Sequence, residues 1–135
     1  MSPETVSPPA AVALIGLGAM GLPMARRLIG AGFRVTGVDP APGARAALAR
    51  EGGAVAESAA ALDVAAPAAI VTMLPNGAVV REALIGSGLA ARLAKGTLVI
   101  DMSSSKPTDT VALAADLAAL GLDVVDAPVS GGVKR

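Results

Sequence analysis

Ala13-Leu14-Ile15-Gly16-Leu17-Gly18-Ala19-Met20-Gly21 is the stretch on which the fold of this chain turns. A short apolar run enters Gly16-x-Gly18-x-x-Gly21, and a helical pattern through Pro23, Met24, Arg27 and Leu28 leaves it. Three spaced glycines carry little by themselves in an alanine- and glycine-rich chain. The order strand, glycine turn, helix carries much more, because it is what a dinucleotide pyrophosphate requires. Gly16 permits a tight turn, Gly18 lets the backbone approach the phosphates, and Gly21 lets the helix pack close to the strand. The anion then rests on the free N–H groups of the helix.

The pattern extends in both directions from this turn. Before it, Ala11 to Ile15 is nearly continuous in apolar residues, as a strand buried on both faces should be. After it, Met20, Met24 and Leu28 form one stripe of a helix that Gly30-Ala31-Gly32 ends. A second strand is expected over 33–39, a helix over 42–51, and a minimal third strand at 54–56. Ser58 is a plausible cap for a short helix running through Ala65. Residues 68–74 read as a fourth strand ended by the turn Pro75-Asn76-Gly77, and Val79 to Ile85 as another helix. An irregular turn is expected between Gly86 and Lys95. Residues 97–101 read as a fifth strand, 108–120 as a helix with Pro107 at its first position, and 122–127 as a sixth strand. In that last helix Val111, Leu113, Leu117 and Leu120 are the apolar positions. Strands alternating with helices predict an α/β fold of the Rossmann type: a doubly wound, mainly parallel sheet with helices on both faces. Residues 1–10, polar and proline-rich, read as a disordered tail, and 11–135 as the domain itself.

Composition narrows the chemistry. The 135 residues suffice for one domain but not for a two-domain enzyme; 53% are hydrophobic, and eleven basic residues balance eleven acidic ones. No basic surplus points to nucleic acid or to a membrane surface. Cysteine is absent, which excludes thiol nucleophiles and zinc-thiolate sites and fits a reducing, cytoplasmic setting. Histidine is absent as well, so acid–base work falls to Lys, Asp or Glu or lies outside the chain. Phe33 is the single aromatic residue, so stacking platforms for single-stranded nucleic acid are missing. Neither a signal peptide nor a membrane span is expected.

In open α/β sheets ligands bind at the carboxyl ends of the strands, and this rule selects the candidate residues. Asp39 ends the second strand about 20 residues past the glycine turn, where an acid accepts hydrogen bonds from the adenosine ribose hydroxyls. A 2′-phosphate would meet a negative charge there, so NAD is favoured, while Arg45 nearby in sequence keeps NADP as the alternative. The plainer reading of Asp39-Pro40 is a turn initiator. Met73-Leu74-Pro75 is by itself a strand end and a turn. Ser103-Ser104-Ser105 offers caps for the Pro107 helix or hydroxyls for a nicotinamide ribose or carboxamide. Ser130-Gly131-Gly132 offers a hydroxyl and successive N–H groups, a carboxylate nest or else a flexible linker.

Four blocks carry a resemblance: Gly16-Leu17-Gly18-Ala19-Met20-Gly21 with Pro23-Met24-Ala25, then Met73-Leu74-Pro75, Asp101-Met102-Ser103-Ser104, and Asp126-Ala127-Pro128-Val129-Ser130-Gly131-Gly132. In this order they resemble the N-terminal domain of the β-hydroxyacid dehydrogenases, the family of 3-hydroxyisobutyrate dehydrogenase and tartronate semialdehyde reductase. The resemblance implies that Gly16, Leu17, Gly18, Ala19, Met20 and Gly21 hold the pyrophosphate of NAD and that Asp39 holds the adenosine ribose. It implies that Leu74 and Pro75 line the cofactor cleft and that Ser104 touches the nicotinamide side. Ser130, Gly131 and Gly132 would clamp the carboxylate of a small substrate such as 3-hydroxyisobutyrate, tartronate semialdehyde (or glycerate) or a sugar acid. A polar residue that some members place shortly after the Leu-Pro pair is Val79 here, so that contact is not carried over. The family's catalytic lysine stands in a Gly-x-x-x-Asn-x-x-Lys block, and nothing in these residues matches it. The expectation is therefore a piece of a longer enzyme or a truncated product, inactive alone, whose full form is a homo-oligomer built through an all-helical second domain. A non-catalytic NAD(P)-binding or interaction module is the reading from another class. Relatives of 6-phosphogluconate dehydrogenase share a Ser-Gly-Gly block and imine reductases share the glycine turn, and both fit the remaining blocks less well.

Overall fold

A computed structural model describes residues 7–18, 20–62, 67–103 and 106–127. Ala19, Ser104, Ser130, Gly131, Gly132 and the end of the helix expected through Ala65 lie outside them. The elements run β1 (Ala11–Ile15), α1 (Gly21–Gly30), β2 (Arg34–Val38), α2 (Pro42–Arg50), β3 (Ala54–Ala56), β4 (Pro67–Thr72), α3 (Gly77–Arg81), α4 (Leu89–Arg92), β5 (Leu98–Asp101), α5 (Pro107–Ala119) and β6 (Asp123–Asp126). The six strands form one sheet in the order β3-β2-β1-β4-β5-β6, and every pairing is parallel. This is the Rossmann arrangement. The chain winds outward from β1 to one edge and then crosses back to β4. The strand order thus reverses between β1 and β4, which is where such sheets open a crevice.

Alternation along the strands splits the core into two layers. Val12 and Leu14 of β1, Val35 of β2 and Ala69 and Val71 of β4 face α1 and α2, packing with Ala25 and Leu48. Ala13, Ile15, Ile70 and Val99 face the other side and pack with Val80, Leu84, Leu89, Leu113 and Leu117. Strands covered on both faces must be apolar at successive positions, which is why β1 and β4 read as continuous apolar runs.

Several local expectations change. On α1 the face turned to the sheet runs through Gly21 and Ala25, with Met24 and Leu28 half-buried, whereas Met20 is 54% exposed just ahead of the helix. On α5 only Leu113 and Leu117 are buried; Val111 is 70% exposed and Leu120 projects outward. Spacing alone did not separate these positions, because an alanine-rich helix offers apolar residues on every side. The stretch expected as an irregular turn between Gly86 and Lys95 contains α4. Its helical turn is seated by burial of Leu89, Ala90 and Leu93, and the Arg92 guanidinium donates to the carbonyls of Ala59 (3.1 Å) and Leu62 (3.3 Å). Gly88, at φ 84°, supplies the left-handed break before it. The helix expected from Val79 begins two residues earlier, because the Asn76 side chain accepts the Val79 N–H and caps it; it continues through a wide π-type turn at Glu82–Gly86. After Ser58, whose hydroxyl accepts the Ala61 N–H, the described residues show a short tight helical turn at Ala59–Ala61. Within the proline-rich start, residues 7–10 are held to the domain. Pro9 O accepts from Arg34 Nε at 3.0 Å, and Ala10 O from the Arg34 N–H at 3.1 Å.

Candidate dinucleotide site

The three motif glycines are small for different reasons. Gly16 leaves β1 at φ +102°, and a Cβ there would strike the carbonyl oxygen of Met73 on the β4 side. At Gly21 a Cβ would strike the Gly16 carbonyl oxygen, so this glycine sets how closely α1 approaches the end of β1. At Gly18 a Cβ would meet nothing within 4 Å, and the residue is exposed. Gly16 and Gly21 are thus demanded by the protein's own packing, while Gly18 keeps open space over the turn for something that comes close from outside. The N-terminus of α1 has no side-chain cap and no acidic residue in its first turn. There the Leu22 N–H donates to Gly18 O at 3.2 Å and Pro23 has no N–H, so the Gly21 N–H is the first-turn amide left for an anion among the described residues.

Asp39 stands one residue past β2, beside this turn. Its Oδ2 accepts the Leu17 N–H at 2.9 Å and its Oδ1 accepts the Ala41 N–H at 2.9 Å. Two backbone donors thus fix the carboxylate, and each oxygen retains a lone pair for a further donor. Leu17 is 2% exposed: its side chain lies in the core against Gly37 and its N–H is held by Asp39, so the residue is buried beneath the turn. Arg45 reaches back from α2, and its Nη1 donates to the carbonyls of Asp39 and Pro40 at 2.9 Å each. The guanidinium is therefore already engaged in holding the turn that presents Asp39.

A cleft of about 460 Å³ opens here, bringing together Gly16, Asp39 and Leu74 with Ser58, Val79 and Ser87. Its walls are mostly apolar, and Glu57 and Glu82 also border it. Pro75 is exposed and Met20 and Gly18 face solvent, and none of these three lines the cleft. Sequence reading missed Glu57, Ser58, Glu82 and Ser87. They come from the end of β3 and from the wide turn after α3, and no spacing ties those segments to the glycine turn. A cleft edged by three carboxylates suits ribose hydroxyls and repels an additional phosphate.

A second feature lies at the ends of β4 and β5, where Thr72 and Asp101 are register partners. Both are buried, Asp101 to 2% exposure. Asp101 Oδ1 accepts from Thr72 Oγ1 at 3.0 Å and from the Ser103 N–H at 2.9 Å, and Ser103 Oγ accepts the Leu74 N–H at 2.8 Å. Asp101 Oδ2 has no partner among the described residues. The sequence signal was an acid closing the apolar run Leu98-Val99-Ile100, where burial could have been inferred.

These features match known proteins. The sequence profile described as the NAD binding domain of 6-phosphogluconate dehydrogenase matches residues 11–135. The chain belongs to this NAD-binding-domain family. Members of the family among its relatives are oxidoreductases. A probable 3-hydroxyisobutyrate dehydrogenase of Mycobacterium tuberculosis is 46% identical over 123 residues, covering 91% of this chain and 41% of that protein. The 2-(hydroxymethyl)glutarate dehydrogenase of Eubacterium barkeri is 41% identical over 128 residues, with coverage of 91% and 41%. The solved structure of Mycobacterium tuberculosis 3-hydroxyisobutyrate dehydrogenase with L-serine superposes with a TM-score of 0.83 at 41% identity, covering 90% of this chain and 41% of that one. The chain thus spans about two fifths of the length of the relatives it matches. It is a Rossmann-type NAD-binding domain, and its residues fit that cofactor: a glycine turn with open space at Gly18, an α1 without a side-chain cap and a fixed acid past β2. Among the described residues, no helix is long and apolar enough to cross a membrane, and no cluster of three His, Cys, Asp or Glu residues is placed to hold a metal ion.

Proposed function

We propose that residues 11–135 form the NAD site of a dehydrogenase that oxidises the hydroxyl-bearing carbon of a small 3-hydroxy carboxylate. The observation that carries this is the Asp39 carboxylate, fixed by the Leu17 and Ala41 amides beside the glycine turn and facing the cleft. Gly16 to Gly21 hold the pyrophosphate, Asp39 the adenosine ribose and Leu74 the inner wall. NAD, when bound, supplies the hydride acceptor. Ser104 meets the nicotinamide side, and Ser130, Gly131 and Gly132 clamp the substrate carboxylate; these roles rest on the sequence blocks alone. The proton-transfer lysine of the family has no counterpart in these residues, so the 135-residue chain by itself binds NAD and turns over negligibly. In a longer protein carrying this domain, the family's helical domain would complete the cleft and pair two copies.

The preference is for NAD over NADP. Asp39, Glu57 and Glu82 put three carboxylates at the edge of the mostly apolar cleft, and Arg45 Nη1 is already bonded to two carbonyl oxygens. Asp39→Ala removes the ribose acceptor and should weaken NAD roughly tenfold in calorimetric titration. NADP should lose less, because the same change relieves repulsion of its 2′-phosphate. Equal losses would assign Asp39 only to holding the turn.

The substrate class is tested on a longer protein carrying the domain, by NAD reduction with 3-hydroxyisobutyrate, glycerate and threonate. Turnover is expected with a 3-hydroxy carboxylate, and none with the corresponding alcohol lacking the carboxylate. Equal rates with and without the carboxylate would sink the clamp.

A further inference from the structure

We propose that Asp101 and Ser103 are positioning residues of the cofactor site, setting the Met73-Leu74 wall against the glycine turn through a relay of hydrogen bonds that begins in the core. The proposal rests on the reading of the cleft as an NAD site. A carboxylate buried to 2% exposure at a strand end is costly unless its bonds do something that apolar residues could not. Here Oδ1 gathers the Thr72 hydroxyl from the neighbouring strand and the Ser103 amide from its own loop. The two-residue bend this imposes turns the Ser103 hydroxyl back to the β4 side, where it accepts the Leu74 N–H at 2.8 Å. The backbone is stapled alongside: the Met102 N–H donates to Thr72 O and the Met73 N–H to Ile15 O, each at 2.9 Å. Met73 O is the atom that a side chain at Gly16 would strike. The path therefore runs without a gap from Asp101 through Ser103 to Leu74, and from Met73 to the first glycine of the motif.

Ser103 is the part of the relay that can be removed without leaving a cavity in the sheet. With Ser103→Ala the Leu74 amide loses its acceptor, and NAD affinity should fall roughly tenfold in titration calorimetry. Leu74 amide exchange should accelerate, while protection in β1 and β4 stays as in the parent. Asp101→Asn keeps a carbonyl oxygen where Oδ1 stands, so it should bind NAD within about threefold of the parent, whereas Asp101→Ala should not. Ser103→Ala protein that binds NAD like the parent overturns the proposal. So does an Asp101→Asn variant as impaired as Ser103→Ala while the fold is intact. If Asp101→Ala does not fold, the Ser103→Ala and Asp101→Asn pair still decides. A parent protein that fails to bind NAD would overturn the cofactor reading, and this proposal with it.

Discussion

Gly16→Ala is expected to abolish NAD binding, with affinity falling by about 100-fold or more, the worth of two or three lost backbone contacts to the anion. Two independent obstacles combine. At φ +102° an L side chain is strained by roughly 1–3 kcal/mol. The Cβ would also collide with the Met73 carbonyl oxygen and lie 3.2 Å from Leu74 Cδ2. The colliding atom is backbone in a strand end whose amide is bonded to Ile15, so it cannot swing away as a side chain could. The chain must open the turn, and the amides of the turn and of α1 lose the spacing that an anion needs. Gly18→Ala makes the informative contrast, since its Cβ would meet no protein atom within 4 Å. That variant should melt like the parent and still bind NAD poorly. Tight binding by Gly16→Ala in titration would mean the turn tolerates movement that its geometry does not allow.

Leu48→Ala should be the most destabilising of the conservative core changes, costing about 3 kcal/mol and lowering the melting temperature by roughly 10 °C. Leu48 is fully buried on α2 and inserts where two glycines leave room for it. A Cβ on Gly37 would strike Leu48 Cδ2, and one on Gly53 would lie 2.7 Å from Leu48 Cγ. Both glycines are small so that this leucine fits between strand and helix. The slot cannot collapse when Leu48 shrinks, because neither glycine has a side chain to move inward. Leu17 also lies against Gly37, so the cavity borders the underside of the glycine turn. Chemical denaturation measures the cost, and a loss below about 1 kcal/mol would show that α2 settles onto the sheet.

Much of the architecture was legible because it depends on short-range patterns. Apolar runs of five or six residues marked β1 and β4, and glycines and prolines punctuated the helices. The parallel order followed from alternation of strand and helix. Asp39 was legible for the same reason, standing at a fixed distance past a recognisable turn. Helix faces were less so: Met20 and Val111 continued an apolar spacing but point outward, since alanine-rich helices do not declare which side meets the sheet. The helical turn Leu89–Arg92 was hidden because bonds from Arg92 to carbonyls some thirty residues away hold it.

By itself, then, the sequence determined the Rossmann winding, from strands and helices alternating along the whole domain, and the glycine turn with the acid that follows the second strand, both written within about 25 consecutive residues. Only the tertiary structure decided how each of these is held and what surrounds it. It separated Gly16 and Gly21, which the protein's own backbone requires, from Gly18, which it does not. It occupied Arg45 with carbonyls and set Glu57 and Glu82 beside Asp39. It also joined Thr72, Asp101, Ser103 and Leu74 across two strand ends. The physical reason is the parallel sheet. Its crossovers bring the carboxyl ends of strands far apart in sequence to one edge, and contacts made there leave no periodicity in the chain.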